Sequence, residues 1–407
     1  MNRVVITGMG IWSCLGTSHD EVRDALFQGK SGIILDLSRK EAGFCSGLVG
    51  NVPKADLKPF LPRSARSYMH EESHYAYMAT RQALEQAGID MDYLEKNEVG
   101  IIYGNDSAVE ACTTAVDKFR QTHDSVACGS GALFQCMNST ISMNLGYLLK
   151  LKGINQTVSS ACASGSQSIG MATMMIRHGL QDCIICGGAE EVNMLGIVAF
   201  DGIQSFSSRE DEPQKASRPF DKNRNGLVPS GGAASLILES YDHAVKRGAK
   251  IIAEIMGWGF SGNGDHISTP NIDGPMRCLN NCLKDSGIAL REIGYVNAHA
   301  TSKIIGDQRE AEIIANVFGD YKVPVTSTKS QTGHETWMAG ASEIIYSILM
   351  MKNDFIAGNL NFEEPDEITA RLNILPETKQ VHFDTFLSNS FGFGGTNSTL
   401  IIKNINS

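Results

Sequence analysis

The sequence predicts an α/β fold made of buried, largely parallel strands arranged in two similar halves. Three observations carry this. Short apolar runs that read as strands alternate with longer, helix-patterned runs along the whole chain. The strand runs are nearly continuous in apolar residues, as expected of strands covered on both faces. Two segments, VSSACASG at 158–165 and LSNSFGFGG at 387–395, echo one another. Each reads as a strand ending in small residues and a Gly/Ser-rich turn.

In chain order, residues 4–7 read as a buried strand, and Ser18-His-Asp-Glu21 as a capping box that opens a helix. A longer helix spans 71–88 and ends on glycine. A strand follows at 99–103 and a helix at 131–150. The strand at 156–161 runs into a helix from Cys162 to about His178, with Gly179 as its stop. Residues 182–186 and 233–239 are apolar strands. The alternation then repeats, with strands at 251–256, 295–298, 324–327, 386–389 and 399–402. The division expected is 1–248 and 249–407. The most polar stretch, SSREDEPQKASRPFDKNRN at 207–225, reads as a surface loop.

A chain of 407 residues with 42% hydrophobic residues can bury a large core. No run reaches the roughly 18 apolar residues that cross a bilayer, and VVITGMGIWSCLG fits a strand and turn better than a signal peptide. The chain therefore reads as soluble and cytoplasmic. A net charge of -10 argues against broad nucleic-acid binding. The ten cysteines are too dilute for a disulfide framework. Cys14, Cys112, Cys136, Cys278 and Cys282 read as small buried hydrophobes.

Cys162 differs. It follows a strand and a Ser-Ser-Ala turn and opens a helix rich in small residues. Unpaired N–H groups and the helix dipole favour a thiolate there. The small neighbours let a carbonyl approach the backbone, so the same amides can hold an oxyanion. A tight turn into a core helix that happens to contain cysteine explains this segment equally well. His299 in VNAHATS and His334 in STKSQTGHE each follow a strand, where sites of α/β proteins collect. Lys329 stands in a segment otherwise free of charge and needs a carboxylate if buried; Glu310 is the candidate. The loop NSFGFGGTN at 389–397 allows close backbone approach, but no lysine follows in phosphate-loop spacing. Gly8-Met-Gly10 lacks the third glycine of a dinucleotide fingerprint. The lone CxxC, Cys183 to Cys186, sits inside an apolar strand and does not read as a zinc site.

Together, SSACASG, NAHATS, STKSQTGH and NSFGFGGTN, in that order, resemble the β-ketoacyl-[acyl-carrier-protein] synthase I/II family. The resemblance covers essentially the whole chain, and SRPFDKNRNG is closer to type I. It implies a thiolase fold, two α/β halves around a five-layered core, and a homodimer. It implies decarboxylating condensation with substrates carried on the phosphopantetheine arm of acyl carrier protein, and no bound cofactor or metal.

By resemblance, Cys162 is the acyl-accepting nucleophile. The backbone amides of Cys162 and Phe393 form the oxyanion hole, and His299 and His334 stabilise the enolate from malonyl-ACP. Lys329, paired with Glu310, orders the site. Thr301 meets the phosphopantetheine arm, and Phe200 and Gly394 are further substrate contacts. Arg63 and Arg66, three apart on an otherwise acidic chain, read either as a solvated surface pair or as part of a docking patch for an acidic carrier protein, the reading the resemblance supports. The chain departs from the family at Ala300, Lys303, Leu227 and the stretch Glu335-Thr-Trp-Met338. Such departures fit a specialised paralogue, for example one extending a polyene. A non-catalytic chain-length-factor-like subunit is the main alternative, and Cys162 argues against it.

Overall fold

The computed structural model describes residues 1–405. Eleven strands line up in one extended sheet system. In chain order they are β1 (Val4–Trp12), β2 (Gly100–Gly104), β3 (Asn155–Val158), β4 (Cys183–Glu190), β5 (Gly232–Ser240), β6 (Ala253–Gly262), β7 (Tyr295–Asn297), β8 (Pro324–Thr326), β9 (Asn373–Ile374), β10 (Thr385–Gly392) and β11 (Thr396–Lys403). Their spatial order is β9-β8-β7-β10-β11-β6-β1-β5-β4-β2-β3. The order β3-β2-β4-β5-β1 on one side repeats as β8-β7-β10-β11-β6 on the other. The two runs meet where β1 pairs with β6, through Val5↔Glu254 and Ile6↔Ala253.

The strands are mixed rather than largely parallel. Five neighbouring pairs are parallel and five antiparallel. The antiparallel pairs hold the middle. A continuous apolar run reports that both faces are covered, not which way the neighbour runs.

Two helices, Ser164–Arg177 and Ala339–Lys352, pack against each other and against strands of both halves. They form the central layer of the α-β-α-β-α stack. Every residue from Ala339 to Met351 is buried, as a helix covered all round must be. Close crossing needs Gly165: a Cβ there would lie 2.9 Å from the Trp337 carbonyl oxygen and 3.0 Å from the Ala341 nitrogen. The outer layers carry Glu71–Ala87 against β1 and β5, and Asp273–Ser286 against β6 and β11.

The helix opened by Ser18 runs His19–Gln28, and the Ser18 side chain accepts from the Glu21 amide. The reciprocal contact is displaced by one residue, because Glu21 accepts from the Thr17 amide at 2.8 Å. The single helix expected over 131–150 is two, Ala132–Cys136 and Thr140–Leu148. Asn105 Nδ2 donates to the Asn138 carbonyl at 2.9 Å and Asn138 Nδ2 to the Asp106 carbonyl at 3.1 Å, which holds the break open. All ten cysteines are free, and Cys14, Cys112 and Cys136 are half-buried rather than buried.

The polar stretch at 207–225 is only partly a surface loop, for Ala216–Asp221 and Arg224 are buried. Arg218 pairs within the stretch, with Asp221 at 2.9 Å, and Arg224 pairs outside it, with Asp307 at 3.6 Å. Among the described residues no helix is long and apolar enough to cross a membrane.

Candidate active site

The site forms where the two repeated units present the ends of their strands. Cys162 lies in a short 3-10 turn, Ala161–Ala163, immediately before the helix Ser164–Arg177. Ala161 holds φ at 47°, a left-handed conformation unusual for a residue with a Cβ. The turn is fixed from outside: the Asp106 carboxylate accepts from the Ala161 amide at 3.1 Å, and the Ser160 carbonyl accepts from Thr396 Oγ1 at 2.7 Å. Thr396 belongs to the second half, so the elbow that carries the thiol is braced by both.

His334 Nε2 lies 3.0 Å from Cys162 Sγ. The His299 ring stands edge-on to that of His334, with centroids 5.3 Å apart. Burial, followed by the Lys329 charge, holds both imidazoles well below the usual histidine range, so both are neutral. Neither Nδ1 has a hydrogen-bond partner among the described residues.

Burial also pushes the Cys162 thiol up to about 12, against the pull of the Lys329 charge and the backbone N–H groups of Phe393 and Cys162. The free site therefore holds a neutral thiol beside a neutral imidazole, not the dipole-stabilised thiolate expected from the sequence. Desolvation of Cys162, a residue only 5% exposed, outweighs the helix end. The backbone amides of Phe393 and Cys162 both face the sulfur.

Lys329 and Glu310 are both brought to the site, but they are not partners. Lys329 pairs with Glu343, a residue of the central helix Ala339–Lys352, and both are 1% exposed. Glu310 serves the backbone instead. Its carboxylate accepts from the amides of His299 at 2.9 Å and Ala300 at 2.7 Å, and from Asn389 Nδ2 at 3.0 Å. His299 itself, its neighbour Ala300 and a residue of β10 already fill its oxygens, so it has little capacity left for an ammonium. Glu343 escaped the sequence reading, yet it carries a signal: a carboxylate in an otherwise apolar helix has to meet a cation or take a proton.

A third buried carboxyl, Glu335, follows His334 directly and accepts from Tyr346 Oη at 2.8 Å and Ser342 Oγ at 2.5 Å. Burial pushes Glu335 up to about 8 and both Glu310 and Glu343 up to about 7. One ammonium thus sits among three carboxyls that are not all ionised at neutral pH.

A cavity of about 340 Å³ opens from His299 to the surface, lined among others by Thr301, Lys303, Phe391, Phe393 and Asn397. Asp307 accepts from the Thr301 amide at 3.0 Å and fixes the turn. Lys303 Nζ donates to Ser205 Oγ at 3.0 Å and lies 6.0 Å from the Phe393 ring centroid. Phe200 stacks on Phe393 at 6.1 Å and meets Trp337 at the same distance. Gly394 follows at φ 76°. Arg63 and Arg66 lie apart from this cluster, on the short helix Arg63–Arg66. Arg63 is exposed, whereas Arg66 is half-buried and its Nε donates to the Leu61 carbonyl at 3.2 Å.

The chain matches two family profiles, "Beta-ketoacyl synthase, N-terminal domain" over residues 1–244 and "Beta-ketoacyl synthase, C-terminal domain" over residues 252–363. It is 39% identical to 3-oxoacyl-[acyl-carrier-protein] synthase 1 of Haemophilus influenzae, with 100% of each chain covered. It is 37% identical to the protein of the same description from Escherichia coli K12, again over 100% of each. A crystal structure of a β-ketoacyl synthase from Burkholderia phymatum superposes with a TM-score of 0.95 at 36% identity, covering 100% of both chains. With a buried cysteine and two neutral histidines meeting at the junction of two repeated α/β units, and with full-length relatives at this identity, the chain belongs to the β-ketoacyl synthase family.

Proposed function

We propose that the chain catalyses decarboxylating Claisen condensation of an acyl group held on Cys162 with malonyl-ACP, giving β-ketoacyl-ACP. The observation that carries this reading is the convergence of His334 Nε2 on Cys162 Sγ at 3.0 Å with His299 alongside.

The thiol proton passes to the neutral His334 as sulfur attacks the acyl thioester, so no standing thiolate is needed. The amides of Phe393 and Cys162 hold the oxyanion, and the carrier thiol leaves with a proton. Malonyl-ACP then enters along the cavity past Thr301. Its carboxylate departs as carbon dioxide, and the enolate oxygen accepts N–H bonds from His299 and His334. Two neutral donors suit this task, since an imidazolium would give up its proton to the enolate. The enolate carbon attacks the acyl-Cys162 carbonyl, the C–S bond breaks, and the departing thiolate takes up a solvent proton to restore the neutral thiol. Lys329, held by Glu343, contributes fixed positive charge to both steps. Glu310 orders the His299 turn. Phe200 and Gly394, with Phe393, border the acyl side.

The acyl carrier protein is the partner, met through Arg63 on a chain of net charge -10. The functional unit is a homodimer. The edge strand β3 has one neighbour only, and Val116, Phe119, Val126, Leu133 and Tyr147 nearby in sequence are exposed. We assign 1–248 to the half carrying the nucleophile and 249–407 to the half carrying the histidines, and a cytoplasmic location. The test is mass spectrometry of the protein after incubation with a panel of acyl-ACPs. An acyl adduct on Cys162 that malonyl-ACP discharges as β-ketoacyl-ACP is expected; no adduct with any member overturns the reading.

A further inference from the structure

Outside the catalytic cluster, His70, Glu72 and Glu191 bring one nitrogen and two carboxylate oxygens within 4.8 Å of one another. His70 is the N-cap residue of the helix Glu71–Ala87, and Glu72 lies in that helix's first turn. Glu191 directly follows β4. Glu72 is 0% exposed and Glu191 1%. The His70 Nδ1 faces Glu72 Oε2 at 2.9 Å and Glu191 Oε2 at 3.7 Å. On the other side of the ring, Nε2 meets Glu110 Oε2 at 3.0 Å.

Nδ1 is hydrogen-bonded to Glu72 Oε2; when an ion replaces the proton there, the Glu110 carboxylate holds the N–H on Nε2. This is the arrangement by which carboxylates orient metal-binding histidines. The two buried carboxylates repel one another unless a cation, or a proton on His70, lies between them. A second observation points the same way. The other oxygen of Glu72, Oε1, is buried and has no hydrogen-bond partner among the described residues. Glu191 is already held in place by the Val109 amide at 2.7 Å and Asn193 Nδ2 at 2.7 Å.

We propose that His70, Glu72 and Glu191 bind a divalent transition-metal ion, with Glu110 orienting the histidine. One imidazole and two carboxylates suit zinc or manganese rather than calcium or magnesium, which prefer oxygen alone. The ion is structural. It ties the helix Glu71–Ala87 to the turn after β4, which leads into the helix Met194–Gly202 that carries Phe200. Metal occupancy therefore stiffens the platform behind the stacked Phe200 and Phe393 rings. A single proton on His70 is the competing occupant, bridging the same carboxylates.

The test uses the full-length protein stripped with EDTA, then titrated separately with zinc chloride and manganese chloride. Binding is followed by calorimetry, by elemental analysis after desalting, and by Tm. One ion per chain and a raised Tm are expected for at least one metal. Affinity should fall below detection in His70→Asn and Glu72→Gln, and roughly 10–100-fold in Glu110→Gln, the loss typical of an orienting partner. Glu110 is half-buried and the least buried member of the set, so its variant reports even if Glu72→Gln does not fold. The proposal is overturned if the parent binds neither ion stoichiometrically. It is equally overturned if binding survives unchanged in His70→Asn and Glu110→Gln, because the ion then sits elsewhere, for instance on cysteines.

Discussion

Lys329 forms its ion pair with Glu343, across the interface between the STKSQTGH segment and the central helix, and both side chains are 1% exposed. Glu310, on the helix Ile304–Phe318, is bound to the His299 and Ala300 amides instead. The two glutamates therefore fail differently when removed. Glu343→Ala strands a buried ammonium and should cost on the order of 3–5 kcal/mol in urea unfolding. Lys329→Ala should cost less, because Glu343, already held up to about 7 by burial, can take a proton. Glu310→Ala should lower activity by loosening the His299 turn while leaving the Lys329 pair intact. Equal destabilisation by Lys329→Ala and Glu343→Ala would contradict this asymmetry.

The carboxyl cluster sets a pH dependence of stability. Glu335 rises from 4.5 to about 8 on burial, so between those values the folded state binds more protons than the unfolded one. Its stabilising contribution is full below about 4.5 and is lost as pH rises through about 8. Glu310 and Glu343 act in the same direction up to about 7. His299 and His334 act oppositely: their values are lowered, so their contribution is present above the ordinary 6.5 and is lost as pH falls. Denaturation midpoints should therefore decline toward both ends of the range. Glu335→Gln should flatten the alkaline side alone, since an amide keeps the neutral shape near Tyr346 and Ser342. An unchanged alkaline slope in this variant would remove Glu335 from the account.

Much of the site was legible because it is local. Cys162 and His299 each lie in a turn just beyond a strand, and His334 follows β8 across the short helix Lys329–Thr332; strand ends are where an α/β fold gathers its chemistry. The partner of Lys329 was not legible, because Glu343 arrives from a separate helix through tertiary packing. The strand directions were missed for a similar reason: residues 183–190 and 232–240 look alike as apolar runs whether they pair parallel or antiparallel. The break at 137–139 depends on Asn105, far upstream, and no helical periodicity around Met137 announces it.

The two arginines proposed for docking separate on exposure. Arg63 is exposed and has no ion-pair partner among the described residues, while Arg66 spends its Nε on the Leu61 carbonyl. Arg63→Glu should raise KM for acyl-ACP severalfold, reduce the salt dependence of association and leave Tm unchanged. Arg66→Glu should raise KM and also lower Tm. If Arg63→Glu leaves both KM and the salt dependence untouched, carrier protein docks elsewhere.

The last prediction divides the two histidines. Cys162→Ala should abolish condensation, since no other thiol occupies the turn before Ser164–Arg177. His334 touches the sulfur at 3.0 Å and stands 5.3 Å from the His299 ring, centroid to centroid; in the proposed mechanism both rings donate to the enolate. Both His299→Ala and His334→Ala should therefore lose malonyl-ACP decarboxylation by about 10²–10³, the usual effect of removing one oxyanion donor. Acyl transfer should separate them. His334→Ala should slow acylation of Cys162, because a thiol held up to about 12 loses its proton acceptor. His299→Ala should acylate near the parent rate. Raising the pH should partly restore acylation in His334→Ala, as solvent base replaces the imidazole, and should not restore decarboxylation in either variant. Acyl transfer and carbon dioxide release are measured separately for each protein. If His299→Ala decarboxylates at the parent rate, that ring is structural. If His334→Ala acylates at the parent rate at pH 7, the contact with Cys162 carries no proton.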